Sequence, residues 1–235
     1  GVVRHVSAAS FNGGPLAAES IVTALTGGLG KDTAQAQSTP LPTTLAGTSI
    51  SVKDASSITR KAPLFHVSPG QVNYQLPAGT SLGTATITIT AENGRSSTRQ
   101  AEITAVAPGV FALNAAGLAA ANVIRVSGGG QTVEDIFQLD ESGLVVPRPI
   151  DLGSPEEQIY LILYGTGLRA AGTSDTTVTI GGENATVLFA GAQPDFPGLD
   201  QVNVLVPRSL LGQGTVPLVL TAAGQVANTV YITVK

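Results

Sequence analysis

One string occurs twice in this chain. Gln71-Val72-Asn73-Tyr74-Gln75-Leu76-Pro77 returns as Gln201-Val202-Asn203-Val204-Leu205-Val206-Pro207, and each copy lies downstream of a Gly-rich turn, Gly27-Gly28-Leu29 in one half and Gly165-Thr166-Gly167-Leu168 in the other. Apolar and polar residues alternate in the first string, as they do in a strand with one face buried, and a proline that cannot donate to a ladder ends both copies. The repeat is too long for a solenoid and about the size of a small domain, so it predicts two modules in tandem and not an array or a propeller. The boundary is placed at Ala107-Pro108-Gly109, giving a first module over 1–107 and a second over 108–235.

Composition agrees with an all-β reading. Among 235 residues, 43% are hydrophobic and only 12% charged, with 28 Gly and 14 Pro punctuating runs of Val, Ile, Leu and Thr. That is the vocabulary of strands and turns. The runs predict strands over 20–26, 48–52, 64–67, 71–76, 84–90 and 101–106, then over 159–164, 176–180, 185–189, 201–206, 215–221 and 229–234. Between the two sets, 110–113 and 122–126 open the second module, and 136–139 with 144–146 form a hairpin around Asp140-Glu141-Ser142-Gly143. No segment has a period of 3.6; residues 15–20 and 115–122 are expected to form at most a helical turn. Matching Phe65 to Phe189 and His66 to Ala190 leaves an insertion of 31–44 in the first copy and of Pro194-Asp195-Phe196-Pro197-Gly198 in the second.

The same composition excludes several classes of function. A net charge of −4 and scattered Lys and Arg offer no field for phosphates, so nucleic acid is not an expected partner. No apolar run reaches the roughly 18 residues that a spanning helix needs, so membrane insertion is not expected. Zero cysteines exclude disulfides and thiol chemistry, and two histidines without cysteine do not make a typical zinc site. No metal or cofactor is expected. Glu134-Asp135, Asp140-Glu141 and Glu156-Glu157 read as loop decoration, which leaves carboxylates brought together from afar as the only route to a Ca²⁺ site.

Two motifs imitate active sites. Gly79-Thr80-Ser81-Leu82-Gly83 has the form of a nucleophile elbow, but Pro77 precedes it and a strand follows it, whereas an elbow joins a strand to a helix. Gly27-Gly28-Leu29-Gly30-Lys31 imitates a phosphate loop, yet Asp32 stands where the Mg²⁺-binding hydroxyl belongs and Leu25 where the first glycine belongs. No residue is therefore expected to be catalytic, and the chain is not read as an enzyme. Sugar platforms favour exposed aromatics; this chain has no Trp, and Phe11, Phe65, Phe111, Phe137 and Phe189 sit in apolar contexts that predict core packing. Phe196 differs. It lies in the inserted loop between Asp195 and Asp200, and these three residues are the expected partner contacts.

A family resemblance rests on further residues. The order of strand, G-x-G-L turn, strand and Q-V-N-x-x-V-P resembles the Ig-like modules called IPT/TIG domains. Val6 to Phe11, Pro40-Leu41-Pro42, Ala62-Pro63-Leu64-Phe65, Ser68-Pro69-Gly70, Ala107-Pro108-Gly109-Val110-Phe111, Ile180-Gly181-Gly182 and Ala185 to Gly191 further resemble uncharacterised C-terminal regions of large exported acidobacterial proteins. The resemblance covers nearly the whole chain. It implies a secreted or cell-surface pair of Ig-like β-sandwich modules, IPT/TIG in type, that arose by internal duplication. It brings no catalytic residues, and implies a spacer, adhesion or protein-interaction unit. The alternative is a carbohydrate-binding accessory module of a secreted enzyme.

Overall fold

The computed structural model describes residues 3–28 and 32–235. Leu29, Gly30 and Lys31, on which the phosphate-loop likeness partly rests, lie outside the described residues. The chain divides into two compact units at Ala107 and Pro108, with Pro194–Leu199 grouped with the first unit and not, as its sequence position suggested, with the second.

The first unit contains β1 (Arg4–Ser7), β2 (Leu16–Ala17), β3 (Ile21–Leu25), β4 (Ala34–Gln35), β5 (Thr44–Leu45), β6 (Thr48–Lys53), β7 (Thr59–Lys61), β8 (Leu64–Val67), β9 (Gln71–Gln75), β10 (Gly83–Thr90) and β11 (Ser96–Thr104). They form two sheets, ordered β1-β3-β9-β8-β4 and β2-β11-β10-β6-β5, with β7 also on β6. Strict alternation drives their association: Val22, Val72 and Tyr74 from one sheet share a core with Ile50, Ile87 and Ile89 from the other. The outward positions of β10 are Thr84, Thr86, Thr88 and Thr90, polar enough for water and β-branched enough for a strand.

The second unit contains β12 (Gly109–Val110), β13 (Ala121–Ser127), β14 (Gly130–Asp135), β15 (Phe137–Leu139), β16 (Val145–Pro147), β17 (Gln158–Thr166), β18 (Thr176–Ile180), β19 (Glu183–Ala192), β20 (Asp200–Leu205), β21 (Gly214–Ala222), β22 (Gln225–Val226) and β23 (Val230–Val234). The order is β14-β13-β17-β20-β19-β18-β21-β22, with β12 on β17, β23 on β21 and a separate β15-β16 hairpin. Strand β19 is shared: residues 183–185 pair with β18, and residues 186–192 pair with β20. The first unit makes the same passage with two strands, because Pro63 lacks an N–H and interrupts the chain between β7 and β8.

The protein is all-β and sandwich-like. Among the described residues the one helical element is a 3-10 turn, Arg208–Leu210. The segments 15–20 and 115–122, expected to form at most a helical turn, each combine a non-helical turn with pairing: Leu16–Ala17 pairs with β11 before a turn at Ala18-Glu19, and Leu118 bridges to Tyr231 after a turn at Ala115-Ala116. Strand β14 and the first half of β11 escaped the sequence reading because Gly130-Gln131-Thr132 and Ser96-Ser97-Thr98 are polar on both faces.

The two Gln-Val-Asn strings occupy strands with matching partners. Asn73 pairs with Thr23 on one side and His66 on the other; Asn203 pairs with Ile162 and Phe189. A one-residue bulge follows at the same register in each unit, at Phe65 and at Leu188. His66 therefore corresponds to Phe189 and Phe65 to Leu188, one residue away from the correspondence expected from the sequence. A bulge adds a residue without moving the pairing beyond it, which letter matching cannot detect.

Candidate functional site

In the second unit, period-two alternation sends Val202 and Val204 inward and leaves Gln201, Asn203 and Leu205 on the outward face of β20. Register then fixes their neighbours. Gln201 lies opposite Tyr164, Asn203 opposite Ile162, and Leu205 opposite Tyr160. On the other flank, Asn203 lies opposite Phe189 and Gln201 opposite Gly191. A side-chain carbon on Gly191 would come within 3.1 Å of the Phe189 ring, so the ring lies over a bare stretch of backbone. The bulge leaves Leu188 and Phe189 open to solvent, at 52% and 39%. Tyr160 and Tyr164 are half-buried, their rings flanking Ile162.

Polar bonds tie this face together without exhausting it. The Gln201 amide donates to Asn203 Oδ1 at 2.8 Å, the Tyr164 hydroxyl to Asn122 Oδ1 at 3.2 Å, and Tyr160 to Gln158 Oε1 at 2.6 Å. The Asn203 and Gln158 amide nitrogens keep donors that no other described residue accepts.

The face runs into a hollow of about 390 Å³ at one end of the unit, and Gln158, Thr186 and Leu205 belong to both. Two arginines brace its lining, Arg208 as part of it and Arg125 from behind Glu157. Arg208 donates to the carbonyls of Leu152 and Gly153 at 2.6 and 2.8 Å. Arg125 bridges Glu134 and Glu157 at 2.6 and 2.7 Å and also donates to the Asp151 carbonyl at 2.8 Å. The Glu157 carboxyl is pulled below its usual range by the Arg125 hydrogen bond and by the Ser154 N–H. A guanidinium's fork suits such multiple acceptors. A second hollow of about 270 Å³ lies beside Asn114, Leu118, Pro147 and Tyr231.

The residues singled out in the sequence go elsewhere. Asp195 is exposed and Phe196 is 63% exposed, but Asp200 is fully buried and is no surface contact. Its carboxylate accepts the backbone N–H groups of Leu168 and Arg169 at 2.8 and 3.2 Å and pairs with the Arg169 guanidinium at 2.6 Å. Burial pushes this carboxyl above its ordinary range, against the pull of those donors. Asp200 thus locks the Gly165-Thr166-Gly167-Leu168 turn to β20 in the second unit; the first unit has Gly70 at the matching position.

Ser81 is placed equally firmly in a turn. Its N–H donates to Asp54 Oδ2 at 3.2 Å and its hydroxyl accepts from Ser56 at 3.0 Å. Asp54 also accepts the N–H groups of Ser56 and Ile58, each at 3.0 Å, and an ion pair from Arg60. His5 stands against Tyr74, with Nδ1 3.1 Å from the phenolic oxygen and the rings edge to face. Its other nitrogen is buried and has no partner among the described residues.

The core expectation for the phenylalanines is corrected. None of the six is buried: Phe11, Phe189 and Phe196 are exposed, and Phe65, Phe111 and Phe137 are half-buried. The aliphatic residues and Tyr74 fill the cores without them. Among the described residues no three His, Asp or Glu side chains gather as a metal site, and no helix is long and apolar enough to cross a membrane. No family model matches this chain, and a comparison with curated proteins finds no match.

Proposed function

We propose that this chain is a tandem pair of Ig-like modules, derived by duplication, of an exported or cell-surface bacterial protein, and that it acts as a binding and spacing unit and not as an enzyme. The duplication is supported by the repeated Gln-Val-Asn register, the bulge at Phe65 and Leu188, and the Gln amide to Asn Oδ1 bond present in both units at 2.7 and 2.8 Å. The observation that carries the functional reading is the use to which buried charge is put. Asp54 and Asp200 each gather backbone N–H groups and one arginine around a turn, so these two buried carboxylates are committed to shape. The test is hydrolysis of chromogenic esters and glycosides by the purified protein. No turnover above buffer is expected, and turnover abolished by Ser81→Ala overturns the reading.

A second reading, attachment to glycan, is favoured by the outward face of the second unit. The exposed Phe189 ring and the half-buried rings of Tyr160 and Tyr164 lie beside neutral amides and hydroxyls, the combination that accepts both the C–H and the O–H faces of a sugar.

A further inference from the structure

The geometry points to a site for a neutral polysaccharide on the sheet face formed by Tyr160, Tyr164, Phe189, Gln201 and Asn203, continuing through Gln158 and Thr186 into the adjoining hollow. This rests on the glycan reading and gives it a location and a ligand class.

Three observations carry it. First, the fold does not require these side chains. At the same register the first unit has Ile21, Leu25 and His66 where the second has Tyr160, Tyr164 and Phe189, and its sheet forms equally well. Aromatic rings have been placed where the repeat tolerates other residues. Second, the rings are spaced along the face and not clustered. Tyr160 and Tyr164 are four residues apart on one strand, roughly 13 Å, which suits several units of a chain more than one small molecule. Third, charge and polarity select the occupant. Arg125 is matched by Glu134 and Glu157, Arg208 is turned to backbone carbonyls, and Asp135 accepts from Asn122 at 2.9 Å. The open polar atoms are the amides of Asn203 and Gln158 and the hydroxyl of Thr186, which exchange hydrogen bonds with sugar hydroxyls and offer nothing specific to an anion.

The experiment is native affinity electrophoresis of the whole chain in gels carrying hydroxyethyl cellulose, barley β-glucan or galactomannan, with polygalacturonate as the anionic comparison. Retardation by at least one neutral polymer is expected. Phe189→Ser and Tyr160→Ala should each weaken it roughly tenfold, Tyr160→Phe should keep it because the ring remains, and Phe196→Ala, outside the face, should leave it unchanged. Circular dichroism of each variant identifies any that fails to fold, and Phe189, on the exposed bulge, is the variant least able to unfold the core. Retardation that persists in both face variants overturns the location while the glycan reading stands. Absence of retardation in every neutral gel overturns both and leaves the face to a protein partner; retardation in polygalacturonate alone overturns the ligand class.

Discussion

His5 and Asp54 each contribute to the protein's response to acid. Burial disfavours the imidazolium of His5 and lowers its pKa from 6.5 to about 4. Because the folded value lies below the unfolded one, the contribution of His5 to stability is complete above pH 6.5 and falls as pH drops from 6.5 to about 4, by up to about 3 kcal/mol. Melting temperatures measured across that window should decline in the parent and decline less in His5→Gln; equal slopes refute the assignment. Asp54 acts lower. Burial raises its carboxyl pKa, but the Ser81 and Ile58 N–H groups and Arg60 outweigh that and bring it from 3.8 to about 2. Its contribution is present above pH 3.8 and is lost as pH falls through about 2. Asp54→Asn should therefore lower the melting temperature by several degrees at pH 7 and hardly at all near pH 2, as followed by thermal denaturation. Ser81→Ala removes one hydroxyl contact at the surface and should shift it by no more than about 1 °C.

At the scale of elements, the bulge in β19 and the 193–199 loop are both additions to a paired sheet. Leu188 is the extra residue between Val187 and Phe189, and it puts two successive side chains, Leu188 and Phe189, on the exposed side of β19. Deleting Leu188 removes the extra residue while Val187 stays opposite Val204 and Phe189 opposite Asn203, so a folded protein with amide dispersion in NMR close to the parent's is the expected result. Collapse of that dispersion would show that the fold requires the bulge. The loop is expected to be equally dispensable to stability. Phe196 is 63% exposed, so Phe196→Ala should lower the melting temperature by no more than about 1 °C, whereas loss of a buried aromatic lowers it by many degrees.

Across the whole molecule, the charge balance and strand content set the bulk properties. A net charge of −4 with an isoelectric point near 5.1 places minimum solubility near pH 5. Its far-ultraviolet circular dichroism should be that of β-sheet without the double minimum of helix. With no cysteine, reducing agent should leave the melting curve unchanged. A helical spectrum contradicts the fold.

The repeat, the spacing of β-branched runs and the Gly/Pro punctuation were sufficient to determine an all-β chain and most of its strands, because alternation is a local property that each residue reports by itself. The Gln-Val-Asn strands were legible for that reason. Polar strands such as β14 were not, since an edge strand with water on both faces leaves no hydrophobic period. What Asp200 does was decided by tertiary structure alone: the Gly165-Thr166-Gly167-Leu168 turn reaches it from a distant part of the chain, and a loop position became a buried anchor. The face proposed for binding was hidden for a related reason. Tyr160, Tyr164, Phe189 and Asn203 come from three strands, and only pairing register and one bulge, both properties of the assembled sheet, bring them onto the same surface.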